Sequence, residues 1–201
     1  MAGSVPDGAL DALATRMRFA VVLAVLVGLA SLVVGIAIWA LDLGWWKDDR
    51  AVYDELFVVD FLLLANILLM LGSFVAVGMW IHRAHANLRE ASDRAYEFSP
   101  GWAVGWYFIP IANLFKPFQA MKELWFASHG IDGWRDATAP GLLRVWWLAF
   151  VASSISSYGD AFTWVDAVGY LANALSAACL IILMRDITRA QATMSPARVF
   201  E

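Results

Sequence analysis

Four stretches of this chain stay apolar and almost free of charge for long enough to be read as membrane-spanning helices: 19–41, 56–81, 142–158 and 163–184. The first, Phe19 to Leu41, exceeds a signal-peptide core, and no A-x-A-like cleavage site follows it, so it reads as retained. The third is the shortest. Its uncharged run, Val145 to Gly159, crosses only if Arg144 snorkels toward headgroups.

A fifth apolar stretch has a different character. Nothing from Gly101 to Phe115 is charged, yet a helix of that length is only about 22 Å, against a hydrocarbon core of about 30 Å. Pro110 and Pro117 punctuate it. The pattern predicts a segment that enters the bilayer and turns back. An interfacial helix should follow, with Phe118, Met121, Leu124 and Trp125 opposite Gln119 and Lys122, so that 100–128 forms one re-entrant and interfacial unit. His82 to Ala95 reads as a solvated helical extension, with Arg89 and Asp93, and Glu90 and Arg94, at four-residue spacing. His129 to Pro140, with two glycines and mixed charges, reads as a loop. The expected fold is therefore all-α and polytopic. A short cytoplasmic tail (1–18), one integral membrane domain (19–190) and a cytoplasmic C-terminal tail (191–201) make up the chain.

Charge orients these elements. With four crossings and 101–115 re-entrant, twelve of the fourteen basic residues share one side, and only Lys47 and Arg50 lie on the other. Were 101–115 to span, everything from Lys116 onward would change sides and that bias would vanish, so both termini are expected in the cytoplasm. The outward connections are acidic, with Asp42, Asp48, Asp49, Asp54, Glu55 and Asp160. Tryptophans, which concentrate at headgroup level, fit the same threading. Trp39, Trp45, Trp46 and Trp164 fall outside, and Trp80, Trp102, Trp106, Trp125, Trp134, Trp146 and Trp147 fall at the inner face.

Composition agrees: 61% of residues are hydrophobic and only 16% charged, more apolar than a soluble domain of this size requires. No block of Lys or Arg suggests nucleic acid. The lone Cys179, inside an apolar helix, excludes an intramolecular disulfide and a CxxC pair. No cofactor or metal is expected, because His82 and His85 offer two ligands on one helix, Cys179 is distant from them in depth and His129 is the only other histidine. The serines at 153, 154, 156 and 157 lack a GxSxG context and suit hydrogen bonds between helices.

At this point the chain resembles a family. The run SPGWAVGWYFIPIANLFKPFQAMKELW from Ser99 to Trp125, preceded by WIHRAHANLRE and followed by RVWW at the third span, is similar to the bacterial membrane family catalogued as domain of unknown function 4328. The resemblance covers roughly Leu56 to Arg189 and implies a multi-pass protein of the bacterial cytoplasmic (inner) membrane. It implies no activity. Members commonly carry an arginine pair where this chain has His82 and Arg83.

Two sets of residues are candidates for function. In the broken segment, Asn113 both donates and accepts and Lys116 places a cation nearby. With Trp102, Trp106, Pro110, Pro117 and Gln119 they suit an anionic headgroup or carboxylate. The structural alternative is that Asn113 caps the turn, Lys116 snorkels and the tryptophans anchor. Within the spans, Asp60 with Asn66 in the second helix is echoed by Asp166 with Asn173 in the fourth. These are candidates for a proton or cation site, or simply acids favoured at helix N-termini. Small residues at Gly28, Ser31 and Gly35, and at Gly169, Asn173 and Ala177, suggest helix packing.

The leading expectation is a non-enzymatic module that binds a lipid, a small anion or a partner helix through 100–125. The alternatives are a small oligomeric transporter or channel using Asp60 and Asp166, and a lipid-modifying enzyme, for which no nucleophile and base are visible. Membrane lipids, a second copy or another membrane protein are the expected partners.

Overall fold

A computed structural model describes residues 5–42, 49–91, 95–156 and 164–193. Every regular element among them is helical. In chain order they are α1 (Asp7–Asp42), α2 (Asp49–Ala91), α3 (Pro100–Gly105), α4 (Lys116–Ser128), α5 (Gly141–Ser156) and α6 (Trp164–Thr193), with 3-10 turns at Trp106–Phe108 and Ala112–Leu114. Three stretches are long and apolar enough to cross a membrane: Asp7–Ala40, Asp60–Ala91 and Trp164–Thr193. The expected third span appears as α5, whose 16 residues cover only about 24 Å. The expected connections at 43–48 and 157–163 lie outside the described residues, as do Asp93, Arg94 and the ion pairs read from them.

The chain divides into two compact units: Met1–Val21, Phe74–Arg144 and Ile182–Glu201 in the first, Val22–Ser73 and Val145–Ile181 in the second. The two are packed by different means. The largest fully buried side chains, among them Leu13, Trp80, Leu88, Met121, Leu124, Leu143, Met184 and Ile187, all belong to the first. It has the core of a soluble protein, each such side chain contributing about 1.5–3 kcal/mol on burial.

That core corrects three expectations. Residues 7–18 are not a loose tail: α1 begins at Asp7, Leu13 is fully buried, and Val5 and Ala9 pack on Ala91. The stretch after Ile81 is not simply solvated, because Ala84, His85, Asn87 and Leu88 are buried while His82, Arg89 and Glu90 face outward. Nor is Gln191 in a tail, since α6 runs to Thr193 and Gln191 is fully enclosed. In each case one helix face carries small or apolar residues that find a partner within the protein.

The second unit packs through small residues. Gly28 meets Ala177, and the close approach at Gly35 leaves an added Cβ only 3.1 Å from Tyr170 Cβ and 3.3 Å from Ala167 O. Val34, Ile38 and Ala167 form its apolar cluster, with Leu62, Leu63 and Tyr170 against it. Large side chains such as Leu29, Ile36, Phe61, Leu68, Leu148 and Leu175 point outward instead. Small residues inside and large apolar ones outside are the arrangement of helices that face hydrocarbon, where close packing rather than water exclusion drives association.

The tryptophans divide as well. Trp39 and Trp164 are more than half exposed, but Trp80, Trp146 and Trp147 are buried in protein. Trp80 satisfies its indole N–H by donating to Thr188 Oγ1 at 3.1 Å, so its polar edge needs no headgroup.

Candidate functional site

The segment from Ser99 to Ser128 doubles back on itself. Ser99 Oγ caps α3 by accepting from the Trp102 amide at 3.3 Å, and Pro100 opens the helix where no N–H is needed. Pro110 forces the residue before it out of the helical region: Ile109 is extended, at φ −104° and ψ 110°. A second 3-10 turn then leads into α4, whose first turn accommodates Pro117. Helix α3 packs against α4, and the two 3-10 turns pack against each other. At the tip Phe108 and Ile111 are 79% and 78% exposed, the two most exposed large apolar side chains among the described residues. Ile109, Leu114, Phe115 and Trp102 extend the apolar surface. Gly130, at φ 68°, adopts the left-handed conformation that ends α4 and opens the loop to Pro140.

The base of this hairpin is polar and built. Glu123, fully buried in α4, accepts from the amides of Glu97 at 2.9 Å and Phe98 at 3.2 Å. Arg89 donates to the carbonyls of Tyr96 and Phe98, so the chain before α3 is tied from two sides. Burial pushes the Glu123 carboxyl above its ordinary range, opposed by the two backbone donors. Beside it, the surface carboxylate of Glu97 takes Arg135 at 2.7 Å and Lys116 at 3.8 Å. Lys116 also lies over the rings of Phe98, at 5.5 Å, and Trp106, at 5.8 Å, while Lys122 and Arg135 flank Trp134.

This places the predicted residues unevenly. Trp102 and Trp106 are brought together, their rings 4.8 Å apart, and Lys116 joins Trp106. Asn113 is half-buried, and its Oδ1 is enclosed without a hydrogen-bond partner. Pro110 is exposed at the tip, whereas Pro117 is buried and Gln119 half-buried in α4. Sequence reasoning missed Glu97, Glu123 and Arg135, whose partnership depends on a fold-back that no local spacing reveals.

A second polar constellation lies within the second unit. Asn66 Nδ2 donates to Ser31 Oγ at 3.0 Å, and Asn173 Nδ2 reaches the same oxygen at 3.3 Å. A cavity of about 330 Å³ is lined by Asn66, Asn173, Asp166, Ser153, Ser154, Tyr170 and their apolar neighbours. Asp60 is exposed and not part of this lining. The echo between the two helices is therefore spatial for the asparagines, which share Ser31 Oγ. A third cluster, in the first unit, centres on Gln191. It accepts from Asn87 at 3.1 Å and donates to Ala84 O at 3.0 Å and Ser128 Oγ at 3.1 Å.

A protein-family model matches residues 47–195, described as a domain of unknown function (DUF4328). No curated protein and no solved structure matches the chain.

Proposed function

Since the chain belongs to this family of unknown function, whose membership assigns no reaction, we propose from the geometry that it is a non-enzymatic integral membrane module. Its proline-broken hairpin, 100–128, enters the cytoplasmic headgroup layer of the bacterial inner membrane and engages anionic lipid. The observation that carries this reading is the exposed apolar tip, Phe108 and Ile111, above a polar base. Apolar side chains exposed to that degree are stable in hydrocarbon, not in water. At the base, Lys116 and Arg135 pair with Glu97 and Lys122 donates to the Arg135 carbonyl, with the exposed Asp132 and Asp136 in the same loop, a set of cations at the level where anionic headgroups lie. Four crossings with both termini cytoplasmic, α5 included, is the threading that goes with this reading.

The test is depth. In a Cys179→Ala background, nitroxide labels at Phe108→Cys and Ile111→Cys in liposomes should collide with oxygen far more than with a water-soluble nickel chelate. Labels equally open to the chelate would reject insertion. Native mass spectra from phosphatidylglycerol nanodiscs should show retained lipid that is lost in Lys116→Ala, Arg135→Ala. Unchanged retention would remove the base from lipid binding.

A further inference from the structure

We propose that Trp125, His129 and Asp186 form a proton-operated latch that holds the C-terminal end of α4 to α6, closed when His129 is protonated and released when it is neutral. All three residues belong to the first unit, and the latch is independent of what the hairpin tip engages. Its ground is that both nitrogens of one imidazole face acceptors. His129 Nδ1 lies 2.8 Å from the carbonyl oxygen of Trp125, and Nε2 lies 3.4 Å from Asp186 Oδ2. A neutral imidazole carries one N–H and a lone pair on its other nitrogen, so either tautomer meets one acceptor with a donor and turns a lone pair on the other. Only the imidazolium, with two N–H groups, donates to both.

The surroundings favour that cation. The ring is stacked on the Trp125 indole, with centroids 4.1 Å apart and planes at 26°, and an indole face attracts positive charge. His129 is also the C-cap of α4, where its amide meets the carbonyls of Trp125, Phe126 and Ala127 and the helix dipole favours a cation. Asp186 is held from the other side: Trp125 Nε1 donates to the same Oδ2 at 2.8 Å, so a donor that does not titrate aims the carboxylate at the ring. Among the described residues, Asp186 is the charged group joined to the imidazole. Arg185 and Arg189, its neighbours along α6, are exposed, as is Asp132 in the loop that follows His129, and Lys122, earlier in α4, donates to the Arg135 carbonyl.

The latch sits at the rim, where solvent supplies and removes the proton: the His129 and Asp186 side chains are 25% and 48% exposed. One residue away, Ser128 Oγ accepts from Gln191 at 3.1 Å in the buried interior. That inner tie contains no titratable group, so the outer one governs the last turn of α4 and the loop it opens.

The experiment is amide hydrogen exchange of the full chain in detergent, with protection corrected for the intrinsic pH dependence of exchange, at about pH 5.5 and about pH 8, either side of the ordinary imidazole value of about 6.5. The amides of His129, Gly130 and Ile131 bond to the last carbonyls of α4. They should be about fivefold better protected at the acid pH, the size of a partly exposed ion pair. His129→Gln and Asp186→Asn, both at partly exposed positions, should each abolish that difference, and His82→Gln, on the exposed side of α2, should leave it. Equal protection at both pH values in the wild type would overturn the latch. So would a pH difference that survives in His129→Gln or Asp186→Asn, or one that disappears in His82→Gln.

Discussion

Asn66 of α2 and Asn173 of α6 donate to one and the same oxygen, Ser31 Oγ of α1, at 3.0 and 3.3 Å. One hydroxyl thereby ties three helices together. Hydrogen bonds between helices in apolar surroundings contribute on average about 0.6 kcal/mol each, and stranding a buried amide adds to the loss. Ser31→Ala should therefore destabilise the protein by about 1–2 kcal/mol in reversible detergent unfolding. Asn66→Ala and Asn173→Ala should be non-additive with it, since each removes a bond that Ser31→Ala has already broken.

The two glycines of α1 should respond differently to the same change. At Gly28 an added Cβ sits 3.5 Å from Ala177 Cβ, an ordinary contact, so Gly28→Ala should be neutral or slightly stabilising. At Gly35 it would lie 3.1 Å from Tyr170 Cβ and 3.3 Å from the Ala167 carbonyl, and that backbone cannot step aside cheaply. Gly35→Ala should cost about 1–3 kcal/mol, the usual range for overpacking, read as a drop in the thermal midpoint of the detergent-solubilised protein.

Gln191 is a buried junction of three partners. Gln191→Leu fills about the same space but strands the Asn87 amide and removes the donor to the Ser128 hydroxyl and the Ala84 carbonyl, and should cost about 3 kcal/mol. Gln191→Glu keeps an acceptor for Asn87 while losing both donors, and should fall between wild type and Gln191→Leu. Equal melting of all three would show that the junction contributes nothing.

Glu123 makes stability depend on pH. Burial raises its carboxyl above the ordinary 4.5, with the amides of Glu97 and Phe98 pulling it down, the Glu97 carboxylate raising it and Arg135 lowering it. A carboxyl raised in the folded state lends stability below its ordinary value and loses it as pH climbs through the raised value. The difference in melting temperature between wild type and Glu123→Gln should therefore move against wild type from about pH 4.5 upward. A difference independent of pH would show that Glu123 titrates alike folded and unfolded.

The hairpin shows where local sequence suffices. Pro110 lacks an amide proton and constrains Ile109, and Ser99 with Pro100 starts a helix, so the break and the restart are written into a few adjacent residues. What the broken segment leans on is not legible in the same way. Glu123 looks like a solvated charge in a polar stretch, and only the fold-back brings the amides of Glu97 and Phe98 to it. Lys116 looked available to an anion, and the same fold-back sets Glu97 beside it.

By itself, the sequence determined that the chain is helical, that it is apolar enough for a membrane, and where its helices break. These properties follow from the length of uncharged runs and from proline and glycine chemistry, which act between near neighbours. Only the tertiary structure decided that residues 7–18 and Gln191 belong to a packed core. It alone decided that Asn66 and Asn173 meet at Ser31, and that Asp166 lines the cavity beside them while Asp60 is not among its lining residues. Such partnerships join residues far apart in the chain, and they depend on how each helix is rotated about its axis, which small residues such as Gly28 and Gly35 set through contact rather than through spacing.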